Sequence, residues 1–574
     1  MTYLSDAKLK NKFYGFDIIT SLSFLAALVF LLWKASYGIV SLDESFYSTV
    51  LYRLWQGDGM IVHEWHPGQL FSFLLLPIFS LFMAISGSTE GVFLFLRLLF
   101  VAAQFTGAVY IYIRLRHFQP LGAVLGSLAL MLYAPLQMMA LSYNTLAILM
   151  LSAACVTMLT GQRVNISAPV SGLLFAGAVL CCPYLVLVYI VYSVAVFVPF
   201  IRQKLDMPAF AVGYWLRFTA GCAVLALAFL AFLFSRCGLD EFFAAIPQVL
   251  NDPEHTPQSF GTIVYKYIES IYGNFYSYTT TQVIIFSFVI PLLALIVAID
   301  RKRVEHRLFY IIPAMVITAA FFVYYIFNDR TVNFLMFPLN ILGFFSCFLM
   351  RKRDMRPFVL LFLPGIMYSF CIHLCSNLGL MSIGSAMTVS GLASAIYVVG
   401  LFRELQEEKS LFSRLVGLGL LAALLLQLGV LTYFRYRYST WDKDTSQLSV
   451  TIDRGPQKGL VTTPANATNY YKLMEETSAV REHDCETVIY IFTDSQLYLV
   501  DSKRNGSFSP WISYVHPEFD MQRLITYWQM HPDRFPHAIF IGDKEGKLSF
   551  LLEILPGTWK ITESENGCLL TLIS

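Results

Sequence analysis

Charge is scarce in this chain: only 14% of its 574 residues are Asp, Glu, Lys or Arg. A soluble domain carries about 25%. The net charge of +2 lacks the basic footprint of a nucleic-acid binder, so no nucleic-acid partner is expected. Internal repeats and low-complexity tracts are missing. Cysteine is rare outside the apolar segments. Of the ten, only Cys485 and Cys568 lie in the polar C-terminal part. They could pair if that part lies outside the cytosol. "CC" at Cys181 and "CIHLC" at Cys371 do not supply the several well-placed ligands of a tight metal site. No small-residue cleavage pattern precedes "SLDES", so the first apolar run is not read as a cleaved signal peptide.

What is present is apolar. Hydrophobic residues make up 57% of the chain, and the mean hydropathy is +0.61. Runs of about 17–25 apolar residues recur, each long enough to span a bilayer. The expected class is a polytopic α-helical membrane protein. Lys and Arg concentrate in cytoplasmic loops. Here they cluster at "KLKNK", Arg114, Arg163, Arg202, Arg301, Arg351 and Arg403. Between clusters there is usually room for two spans and a hairpin poor in charge. The outer hairpins are then "SYNT" at Ser142, "CCPY" at Cys181, "FNDRTVN" at Phe327 and "CSNLGLMS" at Cys375, with a longer outer loop from Gly238 to Tyr278. Residues 70–86 are apolar enough to cross, but one extra span would invert every later cluster. They are expected to lie in or re-enter the outer interface, with Pro77 interrupting the helix. About 13 transmembrane helices remain. The N-terminus is then cytoplasmic, and residues 1–435 form a membrane domain whose first outer loop is 41–91. Residues 436–574 are extracytoplasmic. There "ETVIYIF", "HAIFIG" and "WKITESENGCLLTLI" read as strands and "DMQRLITYWQMH" as a helix, a small α/β domain.

At the outer mouth of the first span stand two carboxylates, Asp43 and Glu44, in "SLDESFYSTVLYRLWQGDG". Ser41 and Glu44 fit a capping box. Phe46, Val50 and Leu54 fit a helix lying on the membrane surface, ended by Gly57. Asp43 shares a face with Tyr47, one turn on. It is either a favourable charge at the helix start or a functional carboxylate. "GDGMIVHEWHPGQL" then packs Asp58, His63, Glu64, Trp65, His66 and Gln69 into one short loop. Carboxylates, imidazoles and an indole at the outer interface suit a sugar presented at the membrane. Trp65 also fits an ordinary interfacial anchor.

Asp43-Glu44, Tyr47, Gly57-Asp58, His66-Pro67, Gly87 and Arg97, taken together, resemble the GT-C superfamily of membrane glycosyltransferases. Within it they look most like the protein O-mannosyltransferases and the lipid A aminoarabinose transferases. The resemblance spans the first outer loop and the second membrane helix. It implies an inverting transfer of a sugar from a polyprenyl-phosphate donor lipid to an acceptor hydroxyl on a glycan, lipid or protein, at the outer membrane face. Asp43, with Glu44, would be the catalytic carboxylate. A cation would meet the leaving phosphate. Arg53, Arg97, His66, His255, Lys266 and Arg330 are the basic residues that the topology puts on or near the outer side, and Arg97 matches the family pattern best. A snorkelling anchor is the other reading of Arg97. Relatives often carry an acidic residue in the "SYNT" hairpin, where this chain has Asn144. The family's proline-rich signature is reduced here to "HPGQL". Some distant relatives use a divalent metal, and Asp43, Glu44 and Asp58 could offer oxygen ligands to magnesium or manganese. Two other classes are a transporter or flippase for a lipid-linked saccharide and a polysaccharide polymerase or ligase. A transporter would show inverted repeats and polar residues at mid-membrane. A polymerase would be expected to carry its basic residues in a late outer loop.

Overall fold

The computed structural model describes residues 6–40, 42–252, 259–273, 290–300, 302–327, 336–376, 379–439, 442–512, 517–542, 547–564 and 567–573. His255 and Arg330 fall outside them. The chain begins with α1 (Asp6–Ala35), α2 (Asp43–Gln56), α3 (Ser72–Ser86), α4 (Val92–Leu115), α5 (Pro120–Leu132), α6 (Tyr143–Thr160) and α7 (Val164–Cys181). Among the described residues, seven helices are long and apolar enough to cross a membrane. The pair Pro183–Phe197 and Pro199–Leu205, bent by 90°, makes an eighth if it crosses as one. The described residues also hold six shorter apolar helices of 10–17 residues. Ile18, Ile19, Leu22, Leu25 and Val29 on α1 are all exposed. So large an apolar face suits lipid and not water. The chain is a multi-pass membrane protein.

α3 has 15 residues, about 22 Å of helix against a hydrocarbon core of about 30 Å. Pro77 does not interrupt it, because the proline lies inside one continuous helix.

The exits of the first and last long helices meet. Lys34, in the last turn of α1, donates to Ser439 Oγ at 2.8 Å and to Thr445 Oγ1, just past the helix Leu411–Arg437. Gly38 makes the turn after α1 with φ 103°, and a Cβ there would stand 2.8 Å from Ser439 Cβ. Two helix ends at one face require an odd number of crossings when α1 crosses once. The chain after α1 then joins a small hairpin of β1 (Val450–Thr451) and β2 (Val461–Thr462). Gly38 N donates to Val461 O at 2.9 Å, and Val461 N to Ser36 O at 2.7 Å.

The C-terminal part carries a five-stranded sheet of β3 (Thr487–Ile491), β4 (Arg504–Asn505), β5 (Ala538–Ile541), β6 (Trp559–Ser564) and β7 (Gly567–Leu572). The order is β4-β3-β5-β7-β6. β3 is parallel to β4 and β5, while β7 is antiparallel to β5 and β6. β3 and β5 are buried at every position, as near-continuous apolar strands covered on both faces should be. Met521, Leu524 and Trp528 of the helix Pro517–Met530 face this sheet at helical spacing. Cys485 and Cys568 are both free thiols, so the disulfide considered from sequence does not form.

α2 departs from its expected place. Gly57 ends it in the left-handed conformation, with φ 112°. Its N-cap is Leu42, with φ 49° and no side-chain capping bond, while Ser41, expected in a capping box, lies outside the described residues. Nor does α2 lie open on a surface, since every residue from Glu44 to Leu54 is buried. The C-terminal domain covers it. Thr49 Oγ1 donates to Ser495 O at 2.9 Å, and Tyr52 OH to Asp501 O at 3.3 Å.

Candidate active site

Asp43 stands half-buried in the first turn of α2. Its charge acts on two tyrosines, Tyr47 one turn on and Tyr143 at the start of α6. The tyrosines are hydrogen-bonded to each other, and their rings meet edge to face at 5.8 Å. Burial first, then Tyr143 and Asp43, hold the Tyr47 hydroxyl well above its ordinary pKa, so it stays a neutral donor. Asn144 bonds to Tyr143. His66 packs on Phe46 at 4.4 Å, and its Nδ1 accepts from Gly68 N at 3.0 Å. That bond leaves the other ring nitrogen to carry the proton in the neutral ring. A Cβ at Gly68 would lie 3.1 Å from the His66 ring and 3.4 Å from Tyr143 Cδ1, so the loop and α6 are in close contact there.

Three hairpins read from sequence as outer converge on this place. Ser142 caps α6 through a capping box and so sets Tyr143 and Asn144. Cys182 and Cys375, from two other hairpins, stand with Sγ atoms 3.6 Å apart. Cys375 interacts with Tyr143, and Tyr368 interacts with Cys182, Cys375 and Tyr143. Tyr143 and Tyr368 were not candidates in the sequence, and Cys182 and Cys375 stood there only in two motifs too sparse for a metal site. The only signal was that their hairpins share one face.

Several other expected residues do different work. Arg97 and Glu44 form a buried two-pronged pair, Nε to Oε1 at 2.7 Å and Nη2 to Oε2 at 2.8 Å. Arg97 Nη1 donates to the carbonyls of Ala35, Tyr37 and Gly38. Residues and carbonyls thus consume all three guanidinium nitrogens, at 4% exposure for Arg97 and 5% for Glu44. The pair ties the exit of α1 to the start of α2, and a phosphate at Arg97 would have to break it.

Arg53 is the hub of a second buried network. Its Nε reaches Asp58 Oδ2 and its Nη1 reaches Glu64 Oε2, both at 2.8 Å, while Nη2 donates to the carbonyls of His63 and Ser507. Arg534 of the C-terminal domain reaches the other Asp58 oxygen at 2.8 Å. Burial works against the Asp58 carboxylate, yet Arg53 and Arg534 hold it below the usual range. Burial pushes Glu64 up to about 7 and His63 down to about 4. Gln69 Nε2 binds the carbonyls of Glu64 and His66 and fixes the loop. Trp65 is 0% exposed and lies in the core of the C-terminal domain, stacked on Phe508 at 5.5 Å and edge-on to Tyr527 at 5.3 Å. It is a plug between domains, not an interfacial anchor. Trp65→Ala should therefore lower stability by about 3–5 kcal/mol. The apparent melting temperature and the protease sensitivity of the C-terminal domain would report it.

The loop makes a pH prediction as well. His63, held neutral in the fold, is protonated in the unfolded chain below about 6.5, so it contributes stability that is lost as pH falls from 6.5 towards 4. Glu64 has the opposite sign. Its folded carboxyl keeps a proton that the unfolded one releases above about 4.3, so its contribution is lost as pH rises towards 7. Between about 4.5 and 6.5 the two cancel. In Glu64→Gln only His63 remains, and stability should rise by about 1.4 kcal/mol per pH unit across that window. Thermal unfolding of both chains against pH tests this. Equal slopes would contradict it.

A divalent ion does not fit these carboxylates. Glu44 is spent on Arg97 and Asp58 on two arginines. Among the described residues, no three His, Cys, Asp or Glu side chains gather as a metal site would require. Lys266 is exposed on the helix Phe260–Gly273 and acts on His373.

No protein-family model and no curated protein sequence matches the chain. In structure it is similar to ArnT from Cupriavidus metallidurans bound to undecaprenyl phosphate, with TM-score 0.49 and 11% identity over 96% of this chain and 97% of that one. It is also similar to the Archaeoglobus fulgidus oligosaccharyltransferase tethered with an acceptor peptide, with TM-score 0.45 and 13% identity over 96% of this chain and 74% of that one. The likeness concerns the course of the chain alone.

Proposed function

We propose that this protein is an inverting membrane glycosyltransferase. It would move a sugar from a polyprenyl-phosphate donor to an acceptor hydroxyl at the outer membrane face, where the C-terminal domain also lies. The observation that carries this is the gathering of Asp43, Tyr47, His66, Tyr143 and Asn144 at one end of the bundle, from segments far apart in sequence. These polar residues gather at helix ends on one side of the bundle, which favours chemistry over transport. In the step envisaged, the acceptor oxygen bonds to the anomeric carbon from the side opposite the phosphate. The carbon–oxygen bond to phosphate breaks, and the phosphate keeps the electron pair. Asp43 takes the acceptor proton. The Tyr47 hydroxyl, kept neutral, helps to fix the carboxylate. Glu44, Arg97, Arg53, Asp58, Glu64 and Trp65 build the frame that holds α2 and the loop in place.

The test is sugar transfer by purified full-length protein in liposomes carrying a polyprenyl-phosphate sugar and a hydroxyl acceptor. Product whose anomeric configuration is the reverse of the donor's supports the proposal. Movement of labelled donor across the bilayer with no new glycosidic bond would replace it with the transporter reading.

A further inference from the structure

A second set of buried polar groups takes no part in the chemistry above. It lies where the end of α5 meets the end of the helix Leu411–Arg437. Arg435 is 1% exposed, and among the described residues it has no carboxylate partner. Its Nε donates to Leu132 O at 3.3 Å and its Nη1 to Gln137 O at 2.8 Å. The first bond caps the C-terminal end of α5, and the second holds the turn Pro135–Gln137 that follows it. Among the described residues its Nη2 is buried with no hydrogen-bond partner, and so are both polar atoms of the Gln137 side chain and Oε1 of Gln104. Leu136 and Gln137 hold φ values of 53° and 61°, a strained course for residues with side chains. Lys34, bonded to Ser439, Thr445 and the Tyr436 carbonyl, feels the charges of both Arg435 and Arg97.

A helix cap does not need a guanidinium. A buried cation without a counter-ion is costly, and an orphaned amide beside it adds to that cost. An anion with several oxygens removes both penalties, since Arg435 Nη2 can donate to one oxygen and the Gln137 amide N–H to another. The site is near the proposed chemistry. Gln137 lies six residues before Tyr143, no more than about 20 Å along an extended chain. Lys34 adjoins Ala35, whose carbonyl accepts from Arg97, the partner of Glu44.

We propose that Arg435, with Gln137 and Lys34, forms an anion subsite that takes the phosphate of the lipid-linked donor. This deepens the glycosyltransferase reading and rests on it. It also supplies the cation that Arg97 and Arg53, both already paired, do not offer.

The test is binding to full-length protein in nanodiscs, with undecaprenyl phosphate as one probe and inorganic phosphate as the other. Arg435→Gln should weaken undecaprenyl phosphate binding at least about tenfold, because it removes charge-assisted bonds. Arg435→Lys should recover part of it. Gln137→Ala should weaken binding about fivefold. It carries the test if Arg435→Gln fails to fold, since among the described residues the Gln137 side chain has no hydrogen-bond partner. Undecaprenyl phosphate binding that ignores a folded Arg435→Gln and also Gln137→Ala would overturn the subsite and leave the donor reading standing. Binding of inorganic phosphate alone, lost in Arg435→Gln, would keep the anion site and overturn its assignment to the lipid donor. Binding of neither probe by the wild type overturns the subsite.

Discussion

Asp43→Asn should reduce sugar transfer by about 10²–10⁴-fold while the chain still folds, inserts and melts like the wild type. The change keeps the size and polarity of the side chain and removes its charge and its capacity to take a proton. Asp43 is half-buried at a helix start, so little packing depends on it. Its charge acts on Tyr47 and Tyr143, the two tyrosines that anchor α2 to α6. Transfer rates at matched membrane levels, beside melting temperatures, give the result. Full activity in a well-folded Asp43→Asn chain would remove the catalytic assignment.

Arg97→Gln should instead cost stability, about 3–5 kcal/mol, because it leaves Glu44 buried with an uncompensated charge. Glu44→Gln should cost a similar amount by stranding Arg97, which makes it no milder than its partner. A capping role would have predicted a small effect. Replacing both residues with apolar side chains of like volume should recover much of the loss, as for other buried ion pairs. A double-mutant cycle on the melting temperature measures the coupling. Arg97→Lys should be intermediate, since lysine keeps the charge without the planar fork that spans both Glu44 oxygens. A stable Arg97→Gln chain with wild-type melting and lost donor affinity would return the phosphate role to Arg97.

The same residues show how far local reading reaches. Gly57 could be placed at the end of α2 because a left-handed cap is a local requirement. "ETVIYIF" and "HAIFIG" were legible as strands because a buried parallel strand needs a continuous apolar run. Asp43 and Tyr47 could be paired because one helical turn sets them on one face. The hairpins around Tyr143, Cys182 and Cys375 were legible as sharing one face because positive charge marks the other.

Partnership across long sequence separations was not legible. Arg97 and Glu44 are 53 positions apart, and a sequence read one segment at a time shows only a cation and a carboxylate on the same side. Asp58 looked available as a ligand until Arg534, from another domain, closed on it. Trp65 carried the composition of a sugar platform or an interfacial anchor, and only the docking of the C-terminal domain made it core. Arg435 sits in "YFRYRY" at the end of a long apolar helix, where a basic residue is ordinarily a solvated anchor. By itself the sequence determined the membrane class and the strands of the C-terminal domain, because hydropathy and period act locally. Tertiary structure alone decided which charges are spent on one another and which remain for a ligand, because burial and ion pairing depend on what the rest of the chain brings alongside.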